Sequence, residues 1–123
     1  MSRDFDQAVQ REIEKTNYII ENFGEEKEKY QNLKNKINNE LIPKLRAAKN
    51  WIVDAKSSLV RGYDSEEVKK RSDNLQSKSE KIDTMINMLN RVIIPQINAN
   101  INSSDTQIEN AKADLNRYRN MLN

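Results

Sequence analysis

Apolar residues recur at steps of three, four or seven along almost the whole chain, and that period admits one kind of secondary structure. The first half carries Val9, Ile13, Ile20, Phe23, Tyr30, Ile37, Leu41, Leu45, Ala48, Ile52, Ala55 and Leu59. The second carries Val68, Leu75, Ile82, Ile86, Leu89, Ile93, Ile97, Ile101, Ile108, Ala111, Leu115, Tyr118 and Leu122. Such steps mark one face of a helix, and nothing in the chain alternates with the period of a strand. Only two Gly and two Pro punctuate 123 residues, and 36% of the chain is apolar. An ordinary globular domain is roughly 45–50% apolar and richer in Gly, so turns and core are both too scarce for a sheet. The expected fold is all-α.

The clearest turn is Arg61-Gly62-Tyr63-Asp64-Ser65-Glu66-Glu67. Gly62 stands where a left-handed C-terminal cap is wanted, Asp64 and Glu67 have the spacing of a capping box with Ser65 between them, and the acids at 66 and 67 suit a helix N-terminus. This divides the chain into helix A, about 3–60, a turn at 61–65, and helix B, about 65–121. A short loop forces the two antiparallel, giving a single two-helix hairpin, a long rod resembling a coiled coil, over residues 1–123. Residues equidistant from position 63 should then meet: Ile52 with Leu75, Leu45 with Met85 or Ile82, Ile37 with Leu89. Pro43 and Pro95 lie inside periodic stretches, where each removes an amide donor and crowds the carbonyl four residues back, so each is expected to kink its helix without ending it. Asn22-Phe23-Gly24 and residues 100–105, where Ser104 and Gln107 have capping spacing, are expected as a hinge or break.

Much chemistry is excluded by composition. Without Cys or His the chain has no thiolate or imidazole, hence no zinc site of the usual ligands and no Ser-His or Cys-His nucleophile pair. The two glycines are 38 residues apart, so no glycine-rich phosphate loop exists. Asp64, Glu66 and Glu67 are accounted for as caps and first-turn acids. No catalytic residue, cofactor or metal is expected. Lys/Arg minus Asp/Glu is −2 over residues 1–40 (7 against 9), +3 over 41–64 (5 against 2) and +1 over 65–123 (9 against 8). Nucleic acid is not an expected partner of so mixed a chain. No apolar run reaches the roughly 20 residues of a membrane span, and Met1-Ser2-Arg3-Asp4-Phe5-Asp6 lacks a signal-peptide pattern. The expectation is a protein cytoplasmic as synthesised, with any export proceeding without a cleaved signal.

Apolar width is uneven. Helix A keeps its apolar residues in a narrow arc, with Ile42 and Val60 as outliers, and Trp51 is expected to pack in the core or at an interface. From Ile82 to Ile97, however, Met85, Met88, Val92 and Ile94 widen the face beyond what one neighbouring helix covers. Exposed contiguous apolar surface marks partner sites, and Met suits a surface that adapts. The expected partner-binding residues are these four and, near the C-terminus, Tyr118, Met121 and Leu122.

The segment from Leu59 to Leu115, with Gly62 at the turn and the run Ile93-Ile94-Pro95-Gln96-Ile97, resembles the small helical-hairpin accessory proteins that accompany LXG-domain toxins of type VII secretion. The chain is more distantly similar to the WXG family, from whose pattern it departs: Trp51 is followed by Ile52-Val53, and Tyr118 has Leu122, not an acid, at the fourth position after it. The resemblance implies a non-enzymatic partner that binds the helical N-terminal domain of such a toxin, with a second small helical protein as a further partner, and helps present the complex to the secretion machinery. The competing expectation is a structural, homo-oligomeric coiled-coil rod or spacer in which the same surface mediates self-association.

Overall fold

In the computed structural model, which describes residues 3–60 and 65–122, the fold is all-α: two long helices form a helical hairpin. The first consists of α1 (Arg3–Lys36), a π-helical turn (Ile37–Leu41) and α2 (Ile42–Val60). The second consists of α3 (Glu66–Met88), a π-helical turn (Leu89–Ile93) and α4 (Ile94–Met121). Ser65 caps α3: its backbone is extended and its Oγ accepts a hydrogen bond from the Val68 amide at 3.2 Å. The N-cap is thus one residue later than the Asp64 expected from sequence, and Glu67 pairs with Arg71 at 2.9 Å one turn on. Gly62 and Asp64 lie outside the described residues.

Helix continues through both prolines, with helical dihedrals at Ile42 and Ile94 directly before them. What marks each proline is a widened turn directly before it, in which the Ile42 amide donates to the Ile37 carbonyl and the Ile94 amide to the Leu89 carbonyl, each reaching back five residues. In an α-helix the Pro43 ring would crowd the carbonyl of Asn39, and that of Pro95 the carbonyl of Arg91. One extra residue in the turn relieves this, as π-bulges do.

The extra residue also resets the buried face. Along α1 and into the π-helical turn a line of buried or half-buried residues runs through Val9, Ile13, Thr16, Ile20, Phe23, Lys27, Tyr30, Lys34 and Ile37 in alternating steps of four and three, with half-buried Glu12 and Gly24 beside it. That is the 3.5-residue repeat of a coiled-coil seam. The next is Ile42, a step of five, after which Leu45, Lys49 and Ile52 resume the rule. The second helix does the same: Val68, Ser72, Leu75, Ser79, Ile82, Ile86, Leu89, then a step of five to Ile94, then Ile97, Ile101, Ser104, Ile108, Ala111, Leu115, Tyr118 and Leu122. Leu41 and Ile93, which the apolar period assigns to the seam, are therefore turned outward. Ile42, expected as an outlier, is 5% exposed against 43% for Leu41.

The hairpin comprises two compact units, residues 1–32 with 96–123 and residues 33–95. The first closes around Val9, Ile13 and Leu115, with Ile20, Tyr118 and Leu122 packed against them. Lys27 forms an ion pair with Asp105. Ser104 and Ala111 are buried, and side chains this small let two helices approach closely. The buried Thr16 hydroxyl donates to the Glu12 carbonyl at 2.7 Å, which satisfies it without a cross-helix partner. Residues 100–105 lie in the unbroken α4, with Ser104 inside its buried face and not at a cap. Gly24 likewise lies within α1, with nothing within 4 Å of where a Cβ would stand. No break occurs at either place.

In the second unit α2 packs antiparallel on α3. Lys49 Nζ reaches Asp83 at 2.7 Å and Lys56 Nζ reaches Gln76 at 2.7 Å. Each pair is symmetric about residue 66, so the register is three residues beyond the centre at 63 expected from the turn. Ile52 accordingly stands level with Ser79 and Glu80 and not with Leu75.

Candidate functional site

The second unit holds an apolar groove of about 230 Å³ lined by Leu41, Leu45, Met85, Met88, Leu89 and Ile93. Its walls follow from the two π-helical turns. The inserted residue in the first turn moves Leu41 off the seam onto one rim, and the inserted residue in the second does the same for Ile93. The floor is Leu45, half-buried, and Leu89, buried, both seam residues. Met85 and Met88 close the other rim at 52% and 54% exposure, and Val92 continues it at 60%. Leu45 and Met85, expected as neighbours, do share this groove.

Each helix sends one outer line of side chains along this edge. On the first helix it runs Leu41, Lys44, Ala48, Trp51 and Ala55, in steps of three and four. On α3 and the turn after it, the line is Lys78, Lys81, Met85, Met88 and Val92, with the same steps. Residues so spaced lie one above another on a helix face. Trp51 is 70% exposed: it is not a core residue, and it stands on the groove's side of α2, one turn beyond Ala48. The register places it level with Lys81.

The opposite edge of the same helix pair is polar. A second depression of about 380 Å³ there is lined by Arg46, Lys49, Asn50, Asp83 and Ile86, and Asp83 neutralises Lys49 within it. The two edges thus differ in kind. One is charged, with Lys49 paired to Asp83 while Arg46 makes no ion pair among the described residues; the other is mainly apolar, with Lys44, Lys78 and Lys81 exposed along its two outer lines and likewise in no ion pair among the described residues.

The seven residues expected to bind a partner separate into three groups. Met85, Met88 and Val92 stand together on the groove rim. Ile94 does not join them: it is half-buried, because the π-helical turn carries it into the seam while Ile93 goes to the groove. Tyr118 and Leu122 pack against the Val9, Ile13 and Leu115 cluster of the other unit, where Met121 is 39% exposed. Sequence reasoning missed Leu41 and Ile93 as groove residues. The signal was present in the steps of five from Ile37 to Ile42 and from Leu89 to Ile94, each followed at once by proline. Among the described residues no helix is long and apolar enough to cross a membrane. In comparisons with known proteins, no family model matches the chain, and no curated protein and no solved structure is significantly similar to it.

Proposed function

We propose that this chain is a non-enzymatic partner protein whose groove receives helical segments of a second protein. The observation that carries this reading is the grouping of six exposed large apolar side chains on one edge of one helix pair, Leu41, Trp51, Met85, Met88, Val92 and Ile93, around a groove with Leu45 and Leu89 in its floor; the other exposed ones, Phe5, Tyr18, Ile19, Leu33, Val53 and Met121, line no such groove. Among the described residues no third helix covers this edge, and leaving it in water forgoes roughly 25 cal/mol for each Å² of apolar surface. Helix-in-groove docking covers it and completes a bundle of three or four helices. The resemblance to accessory proteins of LXG toxins supplies the class of partner: the helical N-terminal domain of such a toxin, presented in complex to type VII secretion.

The test is size-exclusion chromatography with light scattering on the purified chain, alone and with the helical N-terminal domain of an LXG toxin encoded beside it. The expected result is a monomer that shifts into a complex of fixed stoichiometry, and Met88→Glu should weaken that complex while leaving the helical circular dichroism unchanged. A stable homo-oligomer indifferent to the toxin domain would refute the reading in favour of a structural rod. Ile94→Glu is unsuitable for this purpose, since it places a charge in the seam.

A further inference from the structure

The chemistry of the occupant follows from how charge is distributed around the groove, given that the groove is a partner site. The two units carry opposite net charge. Residues 1–32 with 96–123 hold 8 Lys/Arg against 11 Asp/Glu, net −3, and residues 33–95 hold 13 against 8, net +5. The groove therefore belongs to the basic unit. Within that unit the cations are not equally committed. On the polar edge Lys49 is paired with Asp83 and Lys56 donates to Gln76, and of the cations lining the depression there only Arg46 makes no ion pair among the described residues. On the apolar edge Lys44, Lys78 and Lys81 are exposed and make no ion pair among the described residues, and they stand in the same two outer lines as Leu41, Trp51, Met85 and Met88. An apolar trough whose outer lines continue into unpaired lysines, Lys44 beside Leu41 and Lys81 and Lys78 one and two turns beyond Met85, is complementary to one kind of helix.

We infer that the groove is built for an amphipathic helix whose apolar stripe is flanked by Asp and Glu. The stripe would lie over Leu45 and Leu89 between Leu41 and Met88. The flanking carboxylates would face Lys44 on one side and Lys78 and Lys81 on the other. Partial desolvation by the docked helix makes such pairs more favourable than exposed ion pairs, and their long-range field raises the rate of encounter. A helix flanked by Lys or Arg would meet like charge on both rims, so the same lysines also reject wrong partners.

The inference is tested with two fluorescein-labelled 18-residue peptides sharing one stripe of Leu at i, i+3, i+4 and i+7, the remaining positions being mainly Glu in one and mainly Lys in the other. Fluorescence anisotropy with the full-length protein at low ionic strength is expected to show the Glu peptide binding at least ~10-fold more tightly, the difference shrinking as salt screens the rim. Lys44→Glu with Lys81→Glu should reverse the preference. Met85→Ser with Met88→Ser should weaken both peptides by ~10-fold or more. These positions are exposed, so circular dichroism should confirm that every variant keeps its helix content. Equal binding of the two peptides would overturn the acidic partner and leave the groove standing as a site. Binding of neither peptide would overturn the site itself. Binding that responds to the lysines and ignores the methionines would overturn docking in the groove. A homodimer that Met88→Ser dissociates would make a second copy of this chain the occupant and overturn the inference.

Discussion

The two units of the hairpin obey one seam rule and end with different surfaces. In residues 1–32 with 96–123 the buried steps alternate four and three without interruption, so Val9, Ile13, Leu115 and Tyr118 close the helix pair while Phe5, Tyr18, Ile19 and Met121, off the seam, stay exposed. In residues 33–95 each helix contains one step of five, at Ile37 to Ile42 and at Leu89 to Ile94. That single extra residue leaves an apolar side chain, Leu41 or Ile93, outside the seam in a stretch that is apolar on both sides of it. An exposed apolar surface can thus be made without adding apolar residues, by shifting the phase of those already present. The prolines that follow fix where the shift occurs.

The comparison is most severely tested by deletions. Removing Glu21 from the uninterrupted seam of α1 rotates everything N-terminal to it by about 100°, taking Val9 and Ile13 out of the core. At roughly 1.5–3 kcal/mol for each large buried side chain, the loss is about 3–6 kcal/mol. Urea unfolding followed by circular dichroism should show it as a much lower midpoint or as early loss of helix. Removing Leu41 together with Pro43→Ala has the opposite logic, because it converts the step of five into a step of four and leaves Ile37, Ile42, Leu45 and Ile52 on the seam. The expected change is below about 1.5 kcal/mol, the size of a tolerated core adjustment, with one groove wall removed. Equal losses from the two deletions would mean that the π-helical turn is not a phase insertion.

Adjacent residues give a sharper version with single substitutions. Ile42→Ala should cost about 2–4 kcal/mol, as large-to-small changes at buried positions do. Leu41→Ala, at a residue already 43% exposed, should cost about 1 kcal/mol or less. If the order of the two midpoints were reversed, the seam would follow the unbroken apolar period, through Leu41, and the groove would lose its origin.

That pair of residues also defines how far the sequence could be read. Helix type, helix limits and the hairpin were legible because a 3.5-residue seam and a period of 3.6 differ by only about 20° in each seven residues, so either description finds the same face over a few turns. The phase shift was not legible from apolar counting, since Leu41-Ile42 and Ile93-Ile94 offer an apolar residue at both positions and the choice is made by backbone geometry before each proline. Polar members of the seam were missed for another reason. Thr16, Ser72, Ser79 and Ser104 are buried, and a small side chain whose hydroxyl can bond its own helix is tolerated on such a face. Their seven-residue spacing, Ser72 to Ser79 and Ile97 to Ser104 to Ala111, is the cue that apolar counting discards. Tyr118 and Leu122, expected at a binding surface, pack against the Val9, Ile13 and Leu115 cluster, and they can be recognised as seam residues only when the repeat is carried through Ser104.

A smaller effect is expected inside the uninterrupted unit. Gly24 has helical backbone and open space where a Cβ would stand, so Gly24→Ala should stabilise the protein by about 0.5–1 kcal/mol, mainly by restricting the unfolded chain. Thermal unfolding should show a higher midpoint. A lower one would indicate that the half-buried stretch around Phe23 and Gly24 needs the missing side chain for close packing, and that even the regular unit contains a special position.

The smallest expected effect distinguishes the two edges of the second unit. Lys49 and Asp83 are paired at 2.7 Å but keep 35% and 47% of their side-chain surface exposed, so the coupling measured by a double-mutant cycle, Lys49→Met with Asp83→Asn, should be about 0.2–1 kcal/mol and decline with salt. Lys81→Met on the apolar edge removes a cation with no ion-pair partner among the described residues and should leave stability of the isolated chain within about 0.5 kcal/mol. Stability and binding then separate: Lys49 contributes to the hairpin and little to an acidic helix in the groove, while Lys81 contributes to that helix and little to the hairpin. If Lys81→Met destabilised the isolated chain as much as Lys49→Met does, the rim lysines would be committed within the fold. The charge asymmetry around the groove would then hold no information about what docks there.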